Sequence, residues 1–161
     1  MKTYQSPNFD DTIPVYIGID QSYSGFAITA LNDTGYRTTV YKSDKRGIDR
    51  LSDINYHLTR QLYEYDFKDV AMEGYAFGSQ MANMLGELGG MVKMTLKEFE
   101  IYPLIVPPTV LKKYATGKGQ GISKSQILMN VYKKWQIEYP DDNAARSEEH
   151  TSELQSHHDL V

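Results

Sequence analysis

Short apolar runs alternate along the chain with positions spaced for helices, and this pattern predicts an α/β domain. Val15–Asp20 is predicted to be a core strand because its apolar residues are nearly consecutive. A second apolar run at residues 26–31 follows a Ser24-Gly25 corner, which indicates an antiparallel hairpin. Turn-forming residues at 32–35 lead to a third strand, rich in β-forming residues, at 36–41.

The rest of the chain predicts helices that connect further strands. In chain order these elements are a helix at residues 48–65, a strand at 70–73, a helix at 80–99, a strand at 101–106, a helix at 109–114 and a helix from Ser123 to residue 135. This order predicts a mixed five-stranded sheet, with an antiparallel hairpin followed by parallel crossovers and with helices on its faces. Residues 1–13 are polar and are expected to be a flexible N-terminus before a domain at residues 14–145.

The composition places the protein in a broad class. A chain of 161 residues is long enough for one domain with a sizeable core, and its composition is typical of soluble globular proteins. No apolar stretch is long enough to cross a membrane, and the first residues do not resemble a signal peptide. The chain has no cysteine, which excludes disulfides and thiolate metal sites and fits a cytoplasmic protein.

The end of the chain looks foreign to the rest. The eleven residues from Arg146 to Ser156 resemble the translation of a widely used DNA-sequencing adapter. We therefore expect residues 146–161 to be an artefactual tail after a truncated last helix; the alternative is a polar disordered tail. Three of the four histidines lie in this tail. His57 is then the only histidine left, which argues against a histidine-based catalytic or zinc site.

Two acids that end predicted strands are the best candidates for chemistry. Asp20 ends the first strand, and Glu73 ends the fourth. If these strands are neighbours, their carboxylates lie side by side and can bind Mg²⁺ or Mn²⁺, which also bind phosphate. Two such ions about 4 Å apart can activate water and stabilise a leaving oxygen. Alternatively, Asp20 caps a turn and Glu73 is a solvated strand end.

A basic segment without acids spans residues 101–136. Its lysines are Lys112, Lys113, Lys118, Lys124, Lys133 and Lys134, and Gly117 and Gly119 flank one of them. In a domain of low net charge, such a segment indicates contact with a phosphate backbone. A helix that begins near Ser123 would add affinity for anions. The alternative is a solvated, lysine-rich helix face.

Aromatic residues follow both acids along the chain. Tyr23 lies just beyond the first acid, and Tyr75 and Phe77 lie just beyond the second. Their rings could stack on bases or wedge between them in a distorted nucleic acid. They could equally be core or rim residues, since the chain has 13 tyrosines.

Several segments together resemble the RuvC-type Holliday junction resolvases. The matching segments are residues 17–20 and 24–27 (first strand and hairpin), 72–74 (second acid), 108–113, 117–119 and 123–126 (lysine and glycine segment) and 142–145 (start of the last acidic helix). The resemblance spans about residues 14–145. It implies a ribonuclease H-like fold and a metal-dependent endonuclease that cleaves branched DNA, usually as a homodimer.

The resemblance also implies a ligand set. Four acids hold the metals in that family, and the two strand-end acids match the first two. Asn143 and Arg146 fall on the positions of the last two, so Asp142, or else Asp141, is the candidate for a further ligand and catalytic acid. With arginine in place of an acid, the chain is expected to cleave four-way junctions very poorly.

The resemblance finally implies DNA-binding residues. Lys112 and Lys124 match lysines near the scissile phosphate, and Lys124 is also a catalytic candidate. Tyr75 or Phe77 lies in the region of the aromatic residue that probes the junction. The full expected set is Tyr75, Phe77, Lys112, Lys113, Gly117, Lys118, Gly119 and Lys124.

Three other functions compete with this interpretation. A ribonuclease H-like nuclease that processes RNA would share the fold. A non-catalytic junction-binding protein would keep the lysines and dispense with the acids. An actin-like ATPase or sugar kinase also begins with a strand, an acid and a Ser/Gly hairpin, but it needs two such domains and a longer chain.

Overall fold

A mixed sheet forms the centre of the described chain. The structure is a computed structural model that describes residues 1–22, 25–74, 82–123, 126, 129, 130 and 133. Its strands are β1 (Lys2–Gln5), β2 (Val15–Asp20), β3 (Phe26–Asn32), β4 (Gly35–Tyr41), β5 (Phe67–Glu73) and β6 (Leu104–Val106). Its helices are α1 (Gly47–Glu64), α2 (Ala82–Glu98) and α3 (Pro108–Thr116).

The strand pairing confirms the predicted fold class. Within the described residues the sheet has six strands in the order β1-β4-β3-β2-β5-β6. The β1, β4, β3 and β2 neighbours pair antiparallel, whereas β2 with β5 and β5 with β6 pair parallel. An antiparallel hairpin is therefore followed by parallel crossovers through α1 and α2, as the sequence predicts.

The sixth strand is a correction to the predicted five. Residues 2–5 were expected to be flexible, but they pair with β4 as an edge strand, from Lys2 opposite Val40 to Gln5 opposite Arg37. The strand is mostly exposed and has no apolar run. Because backbone pairing with a distant strand holds it, its own side-chain pattern gives no signal.

The predicted turn at residues 32–35 joins β3 to β4. Asn32 Oδ1 accepts a hydrogen bond from the Thr34 backbone N–H at 3.0 Å, as in an Asx turn. Gly35 has a φ of 151°, and a Cβ there would lie 1.9 Å from Ser6 Oγ. Only glycine fits this position without moving the neighbouring chain.

The main core lies between one face of the sheet and the helices. Alternate residues of the strands, such as Ile17, Ile19 and Met72, pack with buried residues of α1 and α2. These helix residues include Ile54, Leu58 and Leu62 of α1 and Leu88, Val92 and Leu96 of α2. For α1, the helical spacing of apolar positions therefore predicts which side is buried.

Helix α3 follows β6, and a cap at Ser123 comes after it. Gly117 ends α3 in the left-handed conformation, with a φ of 79°, and its N–H donates to Lys113 O at 2.7 Å. Ser123 is confirmed as a helix cap: its Oγ accepts from the Gln126 N–H at 3.4 Å, and Gln126 Oε1 accepts from the Ser123 N–H at 3.0 Å. This reciprocal pair is a capping box. The predicted tail at 146–161 lies outside the described residues.

Candidate functional site

The strand pairing brings the two predicted acids together. Ile19 of β2 lies opposite Met72 of β5 in the parallel register, and both belong to the core on the helix-covered face. Asp20 and Glu73, one residue further along, are therefore on the other face. The two strands are neighbours, and both acids end them at the same edge of the sheet.

The local backbone fixes the direction of the first acid. Asp20 is only 1% exposed, and its Oδ1 accepts a hydrogen bond from the Ser22 N–H at 2.9 Å. Asp20 therefore caps a turn, as one of the two predictions has it. This turn accounts for a single hydrogen bond to one of the two carboxylate oxygens. A carboxylate buried this deeply is costly unless it is paired or binds a cation.

Gln21 ties the two strand ends together. Its side chain is nearly buried, and its Nε2 donates to the backbone carbonyl of Glu73 at 2.7 Å. On the next strand the Gly74 N–H donates to Val106 O at 2.9 Å, which joins β5 to β6 at the same level. Sequence reasoning missed Gln21 because its partner is a backbone atom 52 positions away, which no side-chain pattern reveals.

The donor set fits a hard divalent cation. The two carboxylates would supply oxygen ligands. Gln21, the residue after Asp20, has a buried Oε1 without a hydrogen-bond partner among the described residues. Oxygen ligands with room for water are what Mg²⁺ and Mn²⁺ prefer. In the part of the chain that the structure describes, no group of three or more His, Cys, Asp or Glu side chains is suited to a metal ion. Asp142, the candidate further ligand, lies outside that part.

The basic segment begins at the same end of the sheet. Val106 of β6 pairs with Glu73, and α3 starts at Pro108. Within α3 and the loop after it, Lys112 is half-buried and Lys113 and Lys118 are exposed. These lysines therefore follow directly from the strand that borders the acid pair.

Contacts to α3 constrain the loop that carries Lys118. Thr116 Oγ1 lies 2.8 Å from Lys112 O and 3.0 Å from Lys118 O, so it bridges the helix and the loop. A Cβ on Gly119 would lie 3.3 Å from Thr109 O, a tight contact that glycine avoids. Gly117 and Gly119 thus shape this loop, whatever it binds.

Other predicted site residues are not placed. Tyr23, Tyr75, Phe77, Asp142 and Lys124 lie outside the described residues. His57, the histidine that remains when the tail is excluded, stacks on Tyr41 with ring centroids 3.8 Å apart. Burial lowers the pKa of His57, and its neighbours line the helix-covered side of the sheet, away from the acids.

Comparison with known proteins shows the fold. No protein-family model and no curated protein sequence matches the chain. The structure of RuvC from Thermus thermophilus matches with a TM-score of 0.68 and 16% identity, over 91% of this chain and 96% of that one. The T. thermophilus RuvC in complex with a Holliday junction substrate matches with a TM-score of 0.68 and 16% identity, over 92% and 96%. The chain therefore has a RuvC-like, mixed α/β fold.

Among the described residues, no helix combines the length and the apolar character needed to span a bilayer.

Proposed function

We propose that this protein is a metal-dependent endonuclease that cleaves branched DNA, with the four-way Holliday junction as its substrate. The observation that carries the proposal is the juxtaposition of Asp20 and Glu73 on one face, at the ends of neighbouring parallel strands. It is supported by the RuvC-like fold, since one structure with this fold is described with a Holliday junction substrate.

The acids would hold the metal. Asp20, Glu73 and Asp142 would be the ligands of Mg²⁺ or Mn²⁺. When bound, such an ion lowers the pKa of a water molecule and stabilises charge on the leaving oxygen of a phosphodiester. The chain itself supplies orientation: the Ser22 N–H fixes the Asp20 carboxylate, and Gln21 fixes the end of β5.

The basic segment would hold the DNA. Lys112, Lys113 and Lys118, with the backbone at Gly117 and Gly119, would contact phosphates, and Lys124 would lie near the scissile one. Tyr75 or Phe77 would contact bases at the branch point. A homodimer would present two such sites to the two strands that a four-way junction requires to be cut.

Junction cleavage by matched variants tests the proposal. Mg²⁺-dependent nicking of a four-way junction is measured for the chain and for an Arg146→Asp form, each with and without Asp20→Asn or Glu73→Gln. We expect each acid substitution to lower cleavage by at least about a hundredfold, since a metal ligand is lost. Asp33→Asn is the control, because Asp33 is exposed in the β3–β4 turn at the other end of the sheet.

Each alternative has its own outcome. Faster cleavage of an RNA–DNA hybrid than of the junction would identify an RNA-processing nuclease. Tight junction binding without cleavage in both backgrounds would identify a non-catalytic binding protein. Cleavage that persists in the Asp20 and Glu73 variants would show that the active site lies elsewhere.

A further inference from the structure

A second basic group lies at the acid end of the sheet. The loop from β4 to α1 carries Lys42, Lys45 and Arg46, and it is separate from the basic segment at residues 101–136. β4 ends at Tyr41 opposite Phe26, where β3 begins, so this loop leaves the sheet at the same edge as Asp20.

Lys42 lies on the same face as the acids. Asp20 pairs with Ala27, and Ala27 pairs with Val40, so the three residues share one face. A Cβ on Gly25 would lie 3.5 Å from Val40 Cγ1 and 3.7 Å from Lys42 Cε. The stem of the exposed Lys42 side chain therefore extends over Gly25, across the hairpin that follows Asp20.

The rest of the loop is fixed by one carboxylate. Asp53 of α1 accepts hydrogen bonds from Tyr41 Oη, from Ser43 Oγ at 2.9 Å and from Lys45 Nζ at 3.1 Å. These bonds, with that from Tyr41 the largest, lower the pKa of Asp53 to about 2, so it is ionised at neutral pH. Arg50 Nη1 also donates to Ser43 O at 3.0 Å.

In this loop, Lys45 is held in an ion pair, whereas Lys42 faces the acid end of the sheet. Lys45 pairs with Asp53 on the helix side of the sheet. Lys42, three positions earlier and on the opposite face, projects from a loop whose backbone is held on both sides. A cation on a fixed backbone loses less freedom when it binds a phosphate than one on a mobile loop does.

The acid pair is thus flanked by cations. The strand order places β2 and β5 between β4 on one side and β6, which leads to α3, on the other. β4 lies two strand spacings, or about 10 Å, from β2. Successive phosphates of one DNA strand advance by about 3.4 Å along the helix axis, so this distance corresponds to roughly three nucleotides.

We propose that Lys42 is a second phosphate contact, which holds the DNA backbone on the β4 side of the acid pair. The inference rests on the proposed function, because it assumes that DNA crosses the acids. A DNA strand that contacts α3 on one side and Lys42 on the other would lie across Asp20 and Glu73. With a single contact, the DNA strand could rotate away from the two acids. Asp44, the acid next in this loop, is the local charge that opposes the contact.

Binding without cleavage tests the contact. Dissociation constants for a four-way junction and for a linear duplex are measured in EDTA over a range of salt, for the chain and for Lys42→Ala, Lys42→Arg and Lys97→Ala. Lys97 is an exposed lysine in the last turn of α2, which leads away from the acid end, and serves as the control. We expect Lys42→Ala to weaken binding by about eightfold at roughly 0.1 M salt and to reduce the salt slope by about one.

The outcomes separate this inference from the proposed function. Lys42→Arg should restore binding, and the melting temperature of Lys42→Ala should be unchanged. Equal affinity and equal salt slope for the chain and Lys42→Ala would overturn the contact and leave the junction proposal standing. If the chain binds the duplex as tightly as the junction, and Lys42→Ala weakens binding to both, the junction proposal is overturned and the Lys42 contact is kept. Binding to neither DNA would overturn both.

Discussion

At the scale of single residues, the sequence predicts the acid pair but not the residues around it. Asp20 and Glu73 stand out in the sequence because each ends an apolar run. Gln21 and Lys42 do not, since the contact of Gln21 and the proposed role of Lys42 depend on strand pairing that is visible only in three dimensions. The identity of further ligands near residue 142 rests on the resemblance alone and stays a prediction.

Gln21→Leu should damage the site without unfolding it. The substitution keeps a similar volume but removes the bond to the Glu73 carbonyl. We expect about 1 kcal/mol lower stability in urea unfolding. We also expect roughly ten- to a hundredfold slower junction cleavage, because under the proposed function the residue would support the metal ligands. Gln61→Leu, in α1, where the side chain bonds only to Glu64 among the described residues, is the control; equal cleavage by both variants would contradict the supporting role.

Asp53 gives the β4–α1 loop a defined pH dependence. Its folded pKa of about 2 lies below the ordinary value of 3.8, so its contribution to stability is present above pH 3.8 and is lost as the pH falls through 2. We expect the chain to melt at a higher temperature than Asp53→Asn at pH 6, with the difference shrinking towards pH 2. A difference that does not change with pH would show that the carboxylate charge is irrelevant.

At the scale of helices and strands, periodicity predicted the elements better than their ends. The strand predicted at residues 101–106 is only Leu104–Val106, because Ile101 belongs to the cap of α2. Glu100 takes a positive φ of 61°, and the Ile101 N–H donates to Leu96 O at 3.0 Å. This is the pattern of a Schellman cap, in which an apolar residue after the helix packs back on it.

The buried stripe of α1 should carry most of the stability of that helix. Leu58→Ala removes a side chain that is 0% exposed from the main core, and we expect a loss of about 2–5 kcal/mol in the free energy of unfolding. Ile48→Ala, at the exposed start of the same helix, should change it by less than about 0.5 kcal/mol. Chemical denaturation of the two variants measures both values, and similar losses would contradict the assigned packing.

At the scale of the whole molecule, the predicted mixed sheet is confirmed. The one described strand that the prediction lacked, β1, lies at the edge of the sheet. The alternation of strands and helices predicts the parallel half of the sheet, and this half positions the acids. β1 is a short, mostly exposed segment that pairs through its backbone at the rim, so its side chains show no apolar run that would predict it.

Arg146 offers a test of the incomplete ligand set. If that position faces the metals as the resemblance implies, Arg146→Asp removes a positive charge and adds a ligand. We expect Mg²⁺-dependent junction cleavage to increase by at least about tenfold. Robust cleavage by the unaltered chain, or no gain in the variant, would contradict the damaged-site prediction. Arg146→Gln, which removes the charge alone, separates the two effects.

The outward face of α2 offers a test of self-association. Gly86 and Gly90 would meet nothing within 4 Å if they carried a Cβ, so the fold of one copy tolerates larger side chains there. If this face joins two copies, Gly90→Arg should convert a dimer to a monomer in sedimentation, with an unchanged circular dichroism spectrum. Gly90→Ala should instead leave the dimer and raise stability by up to about 1 kcal/mol.

The edge strand also has a practical consequence for handling the protein. Because Lys2 lies opposite Val40, the amino terminus leaves the sheet at the rim of its acid end, three strand spacings from Asp20. An affinity tag fused to the amino terminus would crowd that rim, and its charge would enter every binding measurement. Assays are best made after the tag has been cleaved off.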